Sequence, residues 1–291
     1  MASKNHYERI LIPFDFSDTA KLALEYAAPM VQQLKVDVIL LHIVETPSIA
    51  SSFKNAFRSE EKKFHEHAEE ELKKVAEQFS HKIGAKVQAV TEVGRIYKKI
   101  CTVAKENNVG LILMGTHGAS GVQEILIGSN ALRVVKEAPC PVISVQSHGK
   151  SMGFKKILLP IDNSQTSRQK VPYMLELAVQ SKAIVHILGL MTSSSEDFKK
   201  TFRVKIAQVE EYLANHDIAY ESEFLRSDNL AKDIITHSEK IDADLIVMMT
   251  EQESTSLLLG ESAGYLVNHS KIPVFSVRPA EVDPDKITVR F

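Results

Sequence analysis

Residues 9–30 read RILIPFDFSDTAKLALEYAAPM, and residues 156–177 read KILLPIDNSQTSRQKVPYMLEL. In each stretch a short apolar run reaches a proline, an aspartate stands two residues on, a serine two further, and helical periodicity follows. The residues are Pro13, Asp15 and Ser17 in the first, and Pro160, Asp162 and Ser164 in the second. The far ends also match: NNVGLILMGT and EAPCPVISVQ are answered by IDADLIVMMT and HSKIPVFSVR. The chain is therefore a tandem duplication, and a repeat of this length is settled before any single motif is read.

Between these ends each copy alternates apolar runs with longer amphipathic segments. In the first, strands are predicted near 8–13, 36–44, 86–92, 110–115 and 141–146, and helices near 18–34, 53–80, 95–107 and 129–137. Runs such as VDVILLHIV are apolar without interruption, which implies burial on both faces. Strand alternating with helix predicts a parallel sheet covered by helices. In the second copy the strands fall near 156–160, 183–190, 219–224, 244–249 and 273–278. The polar, glycine-containing joint SHGKSMGF places domains at 1–147 and 154–291 with a linker at 148–153. The C-terminal DKITVRF reads as an edge strand or a frayed end.

The 291 residues suffice for two such domains, and 44% hydrophobic content gives each a core. With 35 basic against 37 acidic residues there is no footprint for nucleic acid or an anionic membrane. The N-terminus lacks the apolar stretch of a signal peptide, and no apolar run spans a bilayer, so a cytoplasmic protein is expected. Cys101 and Cys140 read as small buried hydrophobes rather than redox groups.

Residues 115–131, GTHGASGVQEILIGSNA, hold four of the chain's twelve glycines within Gly115 to Gly128. They follow the fourth strand, as Asp15 follows the first, so both lie where parallel sheets receive ligands. Ser129 or Asn130 can cap the helix that follows, whose N-terminus suits an anion. The P-loop and dinucleotide fingerprints are both missing. Motif logic alone leaves phosphate binding and a purely structural turn open.

Gly115, Gly118, Gly128 and Ser129 at this spacing, after an apolar strand and before a helix leading into APCPVISV, resemble the ATP-binding motif of the universal stress protein family. The opening strand with Pro13 and Asp15, and the strand end at His42 and Ile43, are similar too. The resemblance covers essentially the whole chain as two copies. It implies α/β architecture: two tandem five-stranded parallel-sheet domains, Rossmann-like and adenine nucleotide alpha hydrolase-like. It also implies ATP or another adenine nucleotide as ligand. Asp15 would accept from the adenine, Pro13 and Phe14 would shape the pocket, Ile43 and Met114 would pack on the base, and Gly115 would sit near the ribose. His117, Gly118, Gly128, Ser129 and Asn130 would serve the phosphates, with Mg2+ bridging phosphate oxygens. The family further implies an internal pseudo-dimer formed through the last strands, with a homodimer of chains and a protein partner as further expectations.

The second copy's loop reads MMTEQESTSLLLGES. Met249 stands for Gly115, Glu251 for His117, Gln252 for Gly118 and Glu261 for Ser129, with only Gly260 retained. Ten positions separate Gly118 from Gly128, but eight separate Gln252 from Gly260. Side chains and acidic residues stand where phosphates would lie, so this copy is not expected to bind ATP in the family's manner. Asp162 reads as a structural acceptor, or else as part of a changed pocket for another small molecule or a metal.

Other signals weigh less. His65, Glu66 and His67 sit at spacings that diverge on a helix and read as a solvated face. His42 and His186 read as packed strand residues. Ser120 stands in no nucleophile elbow, and His117 alone has a suitable intrinsic pKa beside the loop. No catalytic residue is placed. A nucleotide-binding regulator is the leading expectation, with a weak ATPase or phosphotransferase, or a nucleotide-free scaffold, as alternatives.

Overall fold

The apolar runs of the first copy become β1 (Arg9–Pro13), β2 (Asp37–Val44), β3 (Val87–Val93), β4 (Leu111–Gly115) and β5 (Val142–Val145). Between them run α1 (Asp18–Leu34), α2 (Arg58–Ile83), α3 (Ile96–Glu106) and α4 (Ser129–Glu137). Every strand pairs in parallel, in the order β3-β2-β1-β4-β5. Consecutive residues of the inner strands, Ile10 to Ile12 and Leu111 to Leu113, are fully buried because helices cover both faces. At the end of α1, Lys35 takes a left-handed conformation (φ 54°) and its N–H closes on the Val31 carbonyl.

In this computed structural model the described residues are 7–45, 58–116, 128–146, 153–250 and 260–279. They form two units, Met1–Ser147 and His148–Phe291. Outside them lie the joint 148–152, His117, Gly118, Ser120, the acidic loop with Glu251, Gln252 and Glu253, and DKITVRF.

The second unit repeats the plan with β6 (Lys156–Ile161), α5 (Val171–Ser181), β7 (Ile184–Met191), α6 (Glu196–Ala214), β8 (Tyr220–Arg226), α7 (Leu230–Lys240), β9 (Leu245–Met249), α8 (Gly260–His269) and β10 (Val274–Val277). Its strands are again all parallel, ordered β10-β9-β6-β7-β8.

One element departs from the repeat. The shared Pro-x-Asp-x-Ser heading predicts a helix directly after Ser164, as α1 follows Ser17, yet α5 begins only at Val171 and residues 163–170 form turns. Pro172 stands in the first turn of α5, the place where a proline's missing N–H is harmless.

In both units the strand order reverses beside the first strand. The ladder between β1 and β4 joins only Ile10 to Leu111 and Leu11 to Ile112, so it ends before Pro13 and Gly115. The carboxyl ends of the two strands part there, at the topological switch point where such sheets take ligands.

Candidate functional site

Asp15, exposed at the end of β1, makes an Asx-turn: its Oδ1 accepts the Ser17 N–H at 3.1 Å and the Ser17 hydroxyl at 2.5 Å. Ser17 Oγ accepts the Ala20 N–H at 3.2 Å and thereby caps α1. One serine thus fixes both the carboxylate and the helix start. Between them Phe16 holds φ at 65°, a left-handed conformation that costs a bulky residue on the order of 1–3 kcal/mol.

An aromatic wall stands behind the carboxylate. Phe14 is buried and donates its N–H to the Leu41 carbonyl at 2.8 Å. His42 Nδ1–H donates to the Phe14 carbonyl at 2.8 Å, which fixes the proton on that nitrogen because a carbonyl only accepts. The Phe16 ring meets Phe14 edge-on at 5.2 Å and lies tilted to His42 at 5.1 Å. Pro13 and Ile43 are half-buried nearby in sequence, at the ends of β1 and β2.

At the end of β4, Gly115 lies against α1: a Cβ there would stand 2.8 Å from the Thr19 carbonyl carbon. Met114, before it, is a core residue at 6% exposure. Thr116, after it, is buried, and both its N–H (3.0 Å) and its hydroxyl (3.3 Å) donate to the Val145 carbonyl. The Gly128 N–H returns to the Thr116 carbonyl at 3.0 Å, so the two ends of the glycine-rich segment are tied together.

The cap of α4 differs from the sequence reading. Neither Ser129 nor Asn130 caps it; both are helical, and Gly128 is the N-cap, held in extended geometry by its bond to Thr116. No side chain caps this helix, and the N–H groups of Ser129 and Asn130 have no acceptor among the described residues. Such a helix start presents two donors and a positive dipole end to an anion.

Nine of the expected site residues, Pro13, Phe14, Asp15, Ile43, Met114, Gly115, Gly128, Ser129 and Asn130, are thus located at the carboxyl ends of β1, β2 and β4 or the start of α4; His117 and Gly118 lie outside the described residues. Phe16 and Thr19 were not singled out from sequence. Nothing in the sequence marks a phenylalanine for positive φ, since glycine or asparagine is the usual signal.

The second unit keeps the scaffold of this site and fills it differently. Thr250 repeats Thr116, donating its N–H (2.7 Å) and hydroxyl (3.4 Å) to the Val277 carbonyl. Gly189 takes the place of His42, and a Cβ there would stand 2.9 Å from the Phe224 ring. Asp162 is buried at 8% exposure rather than open like Asp15, although its Oδ1 still accepts the Ser164 N–H at 2.7 Å.

Cys101 and Cys140 are half-buried, less enclosed than expected. Burial pushes the Cys140 thiol up to about 12, so it is no nucleophile at neutral pH. His186 is largely buried beside Glu221, at 3.2 Å, while Glu66 and His67 are exposed. Among the described residues no helix is long and apolar enough to cross a membrane.

The sequence model of the universal stress protein family matches the chain twice, over residues 6–146 and 153–278. Universal stress protein MJ0577 of Methanocaldococcus jannaschii is 29% identical over 158 residues, covering 48% of this chain and 95% of that protein. Universal stress protein MJ0531 of the same organism is 30% identical over 148 residues, covering 50% of this chain and 86% of its own length. Among solved structures, a universal stress protein from Archaeoglobus fulgidus shares the fold with a TM-score of 0.75 at 21% identity, across 95% of this chain and 99% of that one.

Proposed function

The chain belongs to the universal stress protein family, and from that membership we propose that its first unit binds an adenine nucleotide, ATP in the first instance, while the second serves as a nucleotide-free partner. The observation that carries this reading is the start of α4. Its Ser129 and Asn130 amides have no acceptor among the described residues, and they follow the strand that lies beside β1 and its exposed Asp15.

The donor set fits such a ligand. A carboxylate offers four acceptor sites, and Asp15 is exposed at the end of β1, where an exocyclic amine can reach it. Pro13, Phe14, Ile43 and Met114 supply apolar surface for the base, and Gly115 lets the backbone come close to the ribose. Gly128, Ser129 and Asn130, with His117 and Gly118, receive the phosphates, and a divalent cation such as Mg2+ would bridge phosphate oxygens. Bound nucleotide would order the segment between Thr116 and Gly128 and so alter a surface read by a protein partner. In the same reading the protein is cytoplasmic and its two copies form an internal pseudo-dimer, as the duplication suggests.

Calorimetric titration of the purified chain with ATP and Mg2+ tests this. Saturable binding that weakens in D15A is expected. No heat up to millimolar ATP overturns the reading, and unchanged affinity in both D15A and G118M would put the ligand elsewhere.

A further inference from the structure

The helix that follows β8 rests on two histidines with no counterpart in the first unit. Strand register sets His186 of β7 where β2 has Ile39. The eighth residue of α7, His237, stands where the equally long α3 has Val103. Ile39 and Val103 are buried apolar residues. The second unit exchanges both for imidazoles and keeps them enclosed: His237 is 6% exposed and the His186 side chain 16%. The neighbouring strand changes with them, since Glu221 and Glu223 of β8 stand where β3 has Gln88 and Val90.

These four side chains meet between the sheet edge and α7. Glu221 and Glu223 are two residues apart and so share one face of β8, the edge strand. His186 Nδ1 lies 3.2 Å from Glu221 Oε2, whereas His186 Nε2 is buried and has no hydrogen-bond partner among the described residues. His237 Nε2 lies 3.9 Å from Glu223 Oε2, beyond hydrogen-bond reach, and Lys240, one turn further along α7, approaches the same carboxylate at 3.3 Å. The other elements direct their polar groups elsewhere. On α8, which packs against α7, His269 stacks on Tyr265 of its own helix; Lys271 after it pairs with Glu239 of α7 at 2.9 Å. Glu210 of α6 accepts from Ser222, at the alternate position on β8.

This packing suits neutral imidazoles. An imidazolium has two N–H donors, and at His186 Nε2 a second donor would meet no acceptor. Burial holds His237 below its ordinary value of 6.5, with Lys240 and His186 acting in the same direction and Glu223 against them. A histidine held down in this way takes its proton more readily once released to solvent. The docking of α7 is therefore fully present above 6.5 and weakens as pH falls through that value toward the lower one of the docked state.

We propose that His186 and His237 form a proton-operated latch, which keeps α7 docked on β7 and β8 at neutral pH and releases it in mildly acidic solution. The latch belongs to the second unit alone and is independent of the adenine-nucleotide reading of the first.

Amide hydrogen exchange of the full chain at pH 7.5 and 5.5, read as protection factors, tests this. Opening of α7 should become roughly three- to tenfold more frequent at pH 5.5, tenfold being about the limit for one linked proton one pH unit below the ordinary value. Protection of α3, with Val103 in the same place, should not change. The double variant H186I/H237V, which restores the residues of the first unit, should remove the acid response of α7. The imidazole resonances of the wild-type chain give a second measurement that needs no variant, with a His237 midpoint below 6.5 expected. Equal α7 protection at both pH values, an equal loss in α3, a His237 midpoint at or above 6.5, or the same acid response in H186I/H237V would each overturn the proposal.

Discussion

Gly115 and Thr19 meet backbone to backbone: a side-chain carbon on Gly115 would stand 2.8 Å from the Thr19 carbonyl carbon and 2.9 Å from its oxygen. Contacts that short force the backbone to move, because no flexible side chain is there to yield. In the second unit Met249 occupies the corresponding place on β9, and residues 163–170 run as turns before α5 begins at Val171.

Gly115→Ala should therefore lower stability by about 1–3 kcal/mol, the ordinary range for overpacking. It should show as a lower denaturant midpoint with an unchanged m-value, since the site and not the unfolded chain is altered. ATP affinity should fall as well, because Ser17 and Asp15 are fixed by the same helix start. A midpoint equal to wild type would show that α1 moves aside freely.

Ser17→Ala removes the cap of α1 and the hydroxyl donor to Asp15 in one change, leaving the backbone N–H donor in place. A cost of about 1 kcal/mol in unfolding free energy is expected from the cap alone. Nucleotide affinity should fall too, and Ser17→Thr, which keeps the hydroxyl, should restore most of both. Full affinity in Ser17→Ala would mean that the carboxylate needs no help from the turn.

Lys170 gives a pH signature. Its folded value of about 8 lies below the ordinary 10.5, so between these values the unfolded chain binds more protons and stability rises with pH, by roughly 3 kcal/mol in all. Below pH 8 the folded protein carries the buried charge and that gain is absent. The Cys140 thiol, pushed up to about 12, acts in the opposite direction above pH 9, so the comparison is made with K170M, which retains it. Denaturant midpoints from pH 7 to 10 should rise in wild type relative to K170M. Parallel curves would place Lys170 in solvent.

The parallel sheets and most helices were readable because their causes are local and repeated. Uninterrupted runs such as LILMG announce strands buried on both faces, and α1 begins where Ser17 says it should. What escaped was decided by neighbours remote in sequence. The late start of α5 goes with Pro172, which lies outside the motif Pro160, Asp162, Ser164. The cap at Gly128 depends on a carbonyl at Thr116, and the inward turn of Lys170 on Ser167 and Asp162. The left-handed Phe16 has no sequence signature at all.

Thr116 and Thr250 fasten their strand ends in the same way, each to the carbonyl of a neighbouring strand's last residue. Up to that clasp the two copies share their scaffold; after it their sequences diverge, HGASGVQEILIG in one and EQESTSLLLG in the other. A duplicated gene with such a seam can specialise one copy without endangering the fold of either. Substitutions past the clasp leave its own bonds intact, so one copy can change there while both strand ends stay fastened.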